Sequence, residues 1–545
     1  MSFSNIKRRR FLQSALASGL LYGTGSLPAL SSLAMSAPLQ NRVLANLNMS
    51  GGPDFRHLIV PEYDSDPDSF SNKYWKHRWR AHGIGNNQSA WQSRWNDDYY
   101  PITVGGEGWG DQEDAGSINN GTTFGIWREA GWLIDMFKSG NVALVFNAVG
   151  GTNRAHDLSE LMLEQGNLLS GSNDRNRSGW GGRLARSAGG NVLALTSTPR
   201  PFTFGPVGIA PGYNPNAVDN RDLVSVENSR EIGLFDHDLE QNQLYRTDQK
   251  IARAAKSYYS ALHNEQIPDA YQKFLDHESK VREFGSLIQG RLSEPGNEIP
   301  GLIEALYTGV TVNGEAINPD PSTSNPRKVL RNGYGFGQQI RNLYDVIVAN
   351  DLLEMRVMSL DYGGWDSHAN QRQVPGELTT DPNNPDVSRG IESGFRDIFG
   401  GQFGANPTDS NALHGGFSAL WQSLSQADRN NVVVTIAGEF GRQIRDNGDA
   451  GTDHGSGNLM LVISERCNGG VYGEIFPDTE VDKYDDASLG TPDIEGRTEI
   501  DHIFAAVSDW VTPNAGRVVF PRTSSSYSGE SPLLENNVSF NNLFT

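Results

Sequence analysis

Apolar and polar positions fall into alternating blocks along this chain, with two different rhythms. Val142–Val149 (VALVFNAV) is a continuous apolar run, the mark of a strand buried on both faces of a parallel sheet. Asn41–Asn48, Glu354–Leu360, Asn431–Ala437 and Leu459–Ile463 read as further strands. Helical spacing covers Ile126–Lys138, closed by Gly140, and then about 154–165, 335–350, 413–425 and 499–510. Strands alternating with helices predict an α/β fold, a mostly parallel sheet with helices on both faces. Residues from about 212 to 330 read as a helical insertion, with helices near 238–263 and 268–292 broken at Pro268 and a Pro/Asn/Ser loop at 318–326. Trp75 and Trp79, and Trp91 and Trp95, are each four residues apart, so each pair shares a helix face. They read as packing for a long segment rather than as a sugar platform.

The first 37 residues break this pattern. Lys7-Arg8-Arg9-Arg10-Phe11-Leu12 holds a twin-arginine pair, a weakly apolar stretch runs from Ala15 to Leu33, and Ala34-Met35-Ser36-Ala37 offers a cleavage site. Those three regions in that order read as a Tat export signal, the route for proteins already folded. Residues 1–37 are therefore expected to be a signal peptide handled by the Tat translocase, and 38–545 a mature periplasmic or secreted domain. No other stretch approaches the ~18 apolar residues that cross a bilayer, so no membrane span is expected in the mature chain.

Composition narrows the partners. The 545 residues carry 45 Lys and Arg against 65 Asp and Glu, a net charge of −20. That acidity argues against nucleic acid or an anionic membrane as partner. Cys467 is the single cysteine, which excludes a disulfide framework and a cysteine-rich metal site; it reads as a spare thiol.

In open α/β sheets ligands sit beyond the carboxyl ends of the strands, and the unusual residues of this chain collect there. Asp54 follows the first strand through Ser50-Gly51-Gly52-Pro53. Arg154 and His156 open the helix after Val142–Val149. Asp361, Asp366 and His368 follow the strand at Glu354, Glu439 and Arg442 follow Asn431–Ala437, and Asp453 and His454 precede the next strand. Carboxylates and imidazoles gathered in this way suit a divalent cation such as zinc, manganese, magnesium or calcium. The candidate metal ligands are Asp54, Asp366, His368, Glu439, Asp453 and His454. Arg154, Arg442 and the helix start at Arg154 are expected to hold an anion, with Glu439 or His156 as base. A metal beside an anion cradle implies hydrolysis of phosphate or sulfate esters of an anionic small molecule or glycan. Plainer roles stay open: Asp54 as a turn residue, His454 as a loop histidine, Arg442 as a partner for Glu439. His77 and His82 show no ligand spacing.

Six short motifs stand in order along the chain: Gly51-Gly52-Pro53-Asp54, Arg154-Ala155-His156-Asp157, Gly179-Trp180-Gly181-Gly182-Arg183, Gly363–His368, Glu439–Gln443 and Gly451–Gly455. Together they resemble a family of Tat-exported bacterial proteins grouped with the alkaline phosphatase and sulfatase superfamily. The resemblance implies an alkaline-phosphatase-like fold with Asp54 at a first-strand metal position, Asp366 and His368 in a second cluster and His454 as a late ligand. Glu439 stands where the superfamily has an Asp of an Asp-His pair, although Asp453-His454 is an alternative match. The chain departs from the pattern at Ala155, where the family has serine, and at Phe440, where the pair has histidine. Thr152 and Ser159 lie near the missing serine but not at its position. With these departures the resemblance implies at most one strong metal site, serving hydrolysis by metal-activated water. The alternative is a non-catalytic member that binds a ligand or assists periplasmic assembly.

Overall fold

Long apolar runs build the centre of the molecule. The computed structural model describes residues 41–114, 116, 118–174, 177–195, 199–207, 218–226, 229, 269–295, 297, 299–303, 311–312, 315–316, 334–372, 390–401, 415–484, 486, 488–489, 492–524 and 529–545. All belong to one unit, Gln40–Thr545. The expected leader, residues 1–37, the expected helix at 238–263 and the loop at 318–326 lie outside the described residues.

A ten-stranded sheet organises the unit. Its members are β1 (Val43–Asn48), β4 (Glu113–Asp114), β6 (Val142–Val149), β7 (Asn191–Ala194), β8 (Leu223–Ser225), β11 (Met355–Asp361), β12 (Val432–Ala437), β13 (Asn458–Ile463), β14 (Gly470–Tyr472) and β15 (Thr498–Glu499). A three-stranded sheet holds β2 (Ile59–Pro61), β3 (Tyr99–Thr103) and β5 (Thr123–Trp127), and β9 (Thr311–Val312) pairs with β10 (Glu315–Ala316). The large sheet runs β4-β14-β6-β13-β12-β1-β11-β7-β8, with β15 paired to β6. Of its strands, β13 alone is antiparallel to both its neighbours, β12 and β6. The C-terminal ends of β1, β6, β11 and β12 therefore meet the N-terminal end of β13 at one edge, which is what positions the site.

Strand alternation divides the core into two layers. Val43, Ala45 and Leu47 of β1 pack into one cluster, and Leu44 into the other. Ile340 and Leu343 of the helix Tyr334–Val348 and Phe395 of Ile391–Phe399 fill the first; Trp180, Phe504 and Val507 fill the second. Helices thus cover both faces, the mixed α/β architecture that continuous apolar strands require. Trp75, Trp91 and Trp95 are buried in the first layer, on the helices Phe70–Arg78 and Gln88–Asp98. No helix among the described residues is long and apolar enough to cross a membrane.

One segment departs from its periodicity. Ile126 and Trp127 belong to β5, and the helix begins only at Gly131. Pairing of β5 with β2 and β3 on either side claims these residues for a sheet whose core needs Phe124 and Ile126. The cross-strand neighbours, distant in sequence, override the local helical spacing.

Candidate functional site

The loop after β11 sets the site. Tyr362 N–H donates to Asn48 O and Trp365 N–H to Ser50 O, so this loop lies against the turn that ends β1. Trp365 is buried and anchors it, its indole N–H donating to Tyr362 O. Gly51 has φ +115, and a Cβ there would stand 2.5 Å from the Asp366 amide nitrogen. Glycine is therefore needed both for the backbone angle and for the close approach. Thr452 N–H donates to Ser367 O, which draws the 452–454 segment beside the same loop.

Three imidazoles surround the Asp366 carboxylate. His454 Nε2 lies 2.9 Å and His368 Nε2 3.0 Å from Asp366 Oδ1, and the two nitrogens are 2.9 Å apart. His156 Nε2 lies 3.4 Å from Asp366 Oδ2 without a hydrogen bond. Ligand atoms of His156, Asp366 and His454 all fall within 4.8 Å of one another.

Each ring also has an outward partner. His156 Nδ1 meets Glu439 Oε1 at 2.8 Å, His368 Nδ1 meets Asp453 Oδ1 at 3.0 Å, and His454 Nδ1 meets the Arg154 carbonyl at 2.8 Å. A carbonyl or carboxylate oxygen can only accept, so the ring proton of each neutral histidine belongs on Nδ1. All three Nε2 lone pairs then face the Asp366 carboxylate, and those of His368 and His454 also face each other. Acceptors set this close repel unless a cation lies among them. A tetrahedral zinc with bonds of ~2.0–2.1 Å spaces its donor atoms ~3.3 Å apart, which the inward set approaches. An oxygen acceptor behind each ligating imidazole is the support that metal-binding histidines use.

The carboxylates behind the rings are well fixed. Glu439 is fully buried, and its Oε1 also accepts from Gly51 N–H at 2.9 Å. Asp453 accepts from Asn447 as well as from His368, and these hydrogen bonds hold its carboxyl below the usual range against the effect of partial burial. Burial alone would raise the Asp366 carboxyl, but the close His454 ring and the hydrogen-bonded Arg442 guanidinium outweigh it and bring it down to about 2. Phe440 is buried beneath the rings of His454 and His156, with centroids 4.4 and 5.0 Å away.

The candidates from sequence divide accordingly. Asp366, His368 and His454 form the inner set, and Glu439 and Asp453 stand behind it as acceptors. His156, expected from sequence as a base, joins the inner set. Asp54 does not: its carboxylate takes Arg78 Nη2 at 2.5 Å, Gln371 Nε2 at 2.8 Å and the Arg56 amide, capping the short helix Phe55–Leu58. Arg442 is buried and donates to the carbonyls of Gly51, Gly52, Trp365 and Thr452 as well as to Asp366, so it clamps the site's loops instead of facing an anion. Arg154 is half exposed and pairs with Asp493 at 2.5 Å. His82 is buried, stacked on His57 and bonded to the Tyr74 hydroxyl. Burial raises the Cys467 thiol, which makes it unreactive.

Half of this arrangement falls in a stretch with recognisable relatives. Residues 394–488 match the family described as Protein of unknown function (DUF1501). The matched stretch carries Glu439, Arg442, Asp453 and His454, but not His156, Asp366 or His368. This family is not alkaline-phosphatase-like or sulfatase-like, so the resemblance to that superfamily is corrected. No curated protein and no solved structure matches the chain.

Proposed function

We propose that this protein is an exported, metal-dependent hydrolase of phosphate or sulfate esters. The observation that carries the proposal is the inward convergence of three Nε2 lone pairs on Asp366, each ring held from behind by an oxygen acceptor. His156, Asp366, His368 and His454 would hold the cation. A divalent cation bound there supplies Lewis-acid polarisation of the ester and activation of water. Glu439 and Asp453 keep the ring protons on Nδ1, so that the lone pairs stay available. Arg442 fixes the three loops relative to one another.

An anionic ester is favoured by the helix His156–Gln165. It begins at a proposed ligand, and no side chain caps its N-terminus. The first amides and the positive end of the helix dipole thus face the same place as the cation. Export by the Tat route rests on Arg8-Arg9-Arg10 and the segment beyond them.

The test is metal analysis of protein recovered from the periplasm, followed by assays with aryl phosphate and aryl sulfate. Bound metal and metal-dependent turnover, both lost on Asp366→Ala plus His454→Ala, support the proposal; metal-free protein that the double substitution leaves unchanged contradicts it. A second reading, a ligand-binding or assembly protein without turnover, is favoured by one observation. The two arginines expected to bind the anion are engaged elsewhere, Arg442 by backbone carbonyls and Arg154 by Asp493. Saturable binding of phosphorylated or sulfated sugars without product would select it.

A further inference from the structure

We propose that Ser50 is the nucleophile of this site, an inference that rests on the hydrolase reading above. The helix start offers none. Ala155 has no hydroxyl, Ser159 is buried and donates to the Asn153 carbonyl, and Thr152 Oγ1 lies against the Met162 sulfur. None of these contacts supplies a base.

Ser50 has one. It follows β1, the strand between β11 and β12, and stands at the edge where the metal-binding side chains gather. Its hydroxyl donates to Glu160 Oε1 and accepts from Arg200 Nη1 at 3.3 Å. The residue is partly exposed. Backbone bonds hold it in place: Ser50 O accepts from Trp365 N–H, and the next amide, Gly51 N–H, donates to Glu439. A hydroxyl on a rigid turn, bonded to a carboxylate and flanked by a guanidinium, is the geometry of an activated nucleophile.

The helix His156–Gln165 ties this group to the metal site. His156, Glu160 and Glu164 are successive i, i+4 neighbours on one face. Glu160 therefore lies one turn, ~6 Å along the axis, from the proposed ligand His156. Arg200 also binds Glu160 Oε2 and Asp361 Oδ1, each at 2.8 Å, and Glu164. The guanidinium thus holds the Glu160 carboxylate by one oxygen and leaves the other, Oε1, for the Ser50 hydroxyl.

Two displacements complete the reaction. Ser50 Oγ forms a bond to phosphorus or sulfur as its proton passes to Glu160. The ester P–O or S–O bond breaks, and the alcohol leaves with the electron pair, taking a proton from water. Water, giving its proton to the hydroxide left by the first step, then attacks the phosphoryl or sulfuryl group and expels Ser50 Oγ, which recovers the proton from Glu160.

The experiment uses the full-length, zinc-loaded protein with 4-nitrophenyl phosphate and 4-nitrophenyl sulfate, acid-quenched for peptide mass spectrometry. Expected are a phosphoryl or sulfuryl adduct on Ser50 and a fall in kcat of at least ~100-fold in S50A, with zinc affinity unchanged. E160Q should lower kcat with zinc affinity unchanged. If S50A does not fold, S50C fills the same space and is expected to lose turnover in the same way. Wild-type turnover that S50A retains, or an adduct on Thr152 or on Ser456 (whose hydroxyl donates to Asp493), overturns the proposal while leaving the hydrolase reading intact. If zinc-loaded wild type turns over neither ester, the hydrolase reading fails and the role of Ser50 fails with it.

Discussion

Metal-ligating histidines almost always commit their other nitrogen to an oxygen acceptor, and His156, His368 and His454 do so around a shared carboxylate. Removing an outer acceptor frees the ring to rotate or change tautomer. Asp453→Ala and Glu439→Gln are each expected to weaken zinc affinity about 10–100-fold while the fold persists, measured by titration against a competing chelator. Unchanged affinity in both would show that the acceptors do not orient the rings. A second residue-scale prediction concerns Glu164, whose carboxyl is buried and pushed up to about 7 despite Arg200. A carboxyl raised in the folded state favours folding at low pH, and that contribution is lost as pH rises from the unfolded value toward 7. Urea unfolding at pH 5 and pH 8 should show wild type losing up to ~3 kcal/mol relative to E164Q over that interval. Parallel pH dependence of the two proteins would contradict this. Asp501, also buried and raised to about 7, shares the direction and stays in both proteins, so it cancels in the comparison.

The elements legible in sequence are those with long apolar runs. β1, β6, β11, β12 and β13 are six to eight residues each and buried on both faces, so hydrophobicity alone marks them. β7, β8, β14 and β15 have two to four residues and owe their form to neighbours far along the chain, which no local pattern records. The site divides in the same way. Asp366, His368 and His454 are marked by their place at strand ends, whereas the outward bonds of the rings depend on rotamers. The fate of Asp54 depends on Arg78, which arrives from a helix beyond the small strand β2. Turns can be tested at this scale. Gly51→Ala would drive a Cβ into the Asp366 backbone at an unfavourable φ, so it should cost stability and abolish tight zinc binding together. Zinc affinity equal to wild type would show that the turn does not position Asp366. Trp75→Ala should cost about 3–5 kcal/mol in urea unfolding, because the tryptophan is fully enclosed in the first core layer. A change below ~1 kcal/mol would show that this tryptophan does not belong to the core.

At the scale of the molecule, nine strands pointing one way and a single reversed strand bring five segments, spread over some four hundred residues, to one edge of one sheet. Motif order along the chain suggests a superfamily, and the match at 394–488 to a different family replaces that suggestion. The geometry of the edge carries the functional proposal without it. A cation binding only the folded protein should raise its stability by about 2.7 kcal/mol at one hundred times the dissociation constant. The most direct measurement is the zinc K-edge absorption spectrum of the purified protein loaded with one equivalent of zinc. A three-histidine site predicts a first shell of nitrogen and oxygen at ~2.0–2.1 Å with the outer-shell scattering of three imidazoles, falling to two in His368→Ala. Failure to retain the equivalent of zinc, or a spectrum without imidazole scattering, would contradict it.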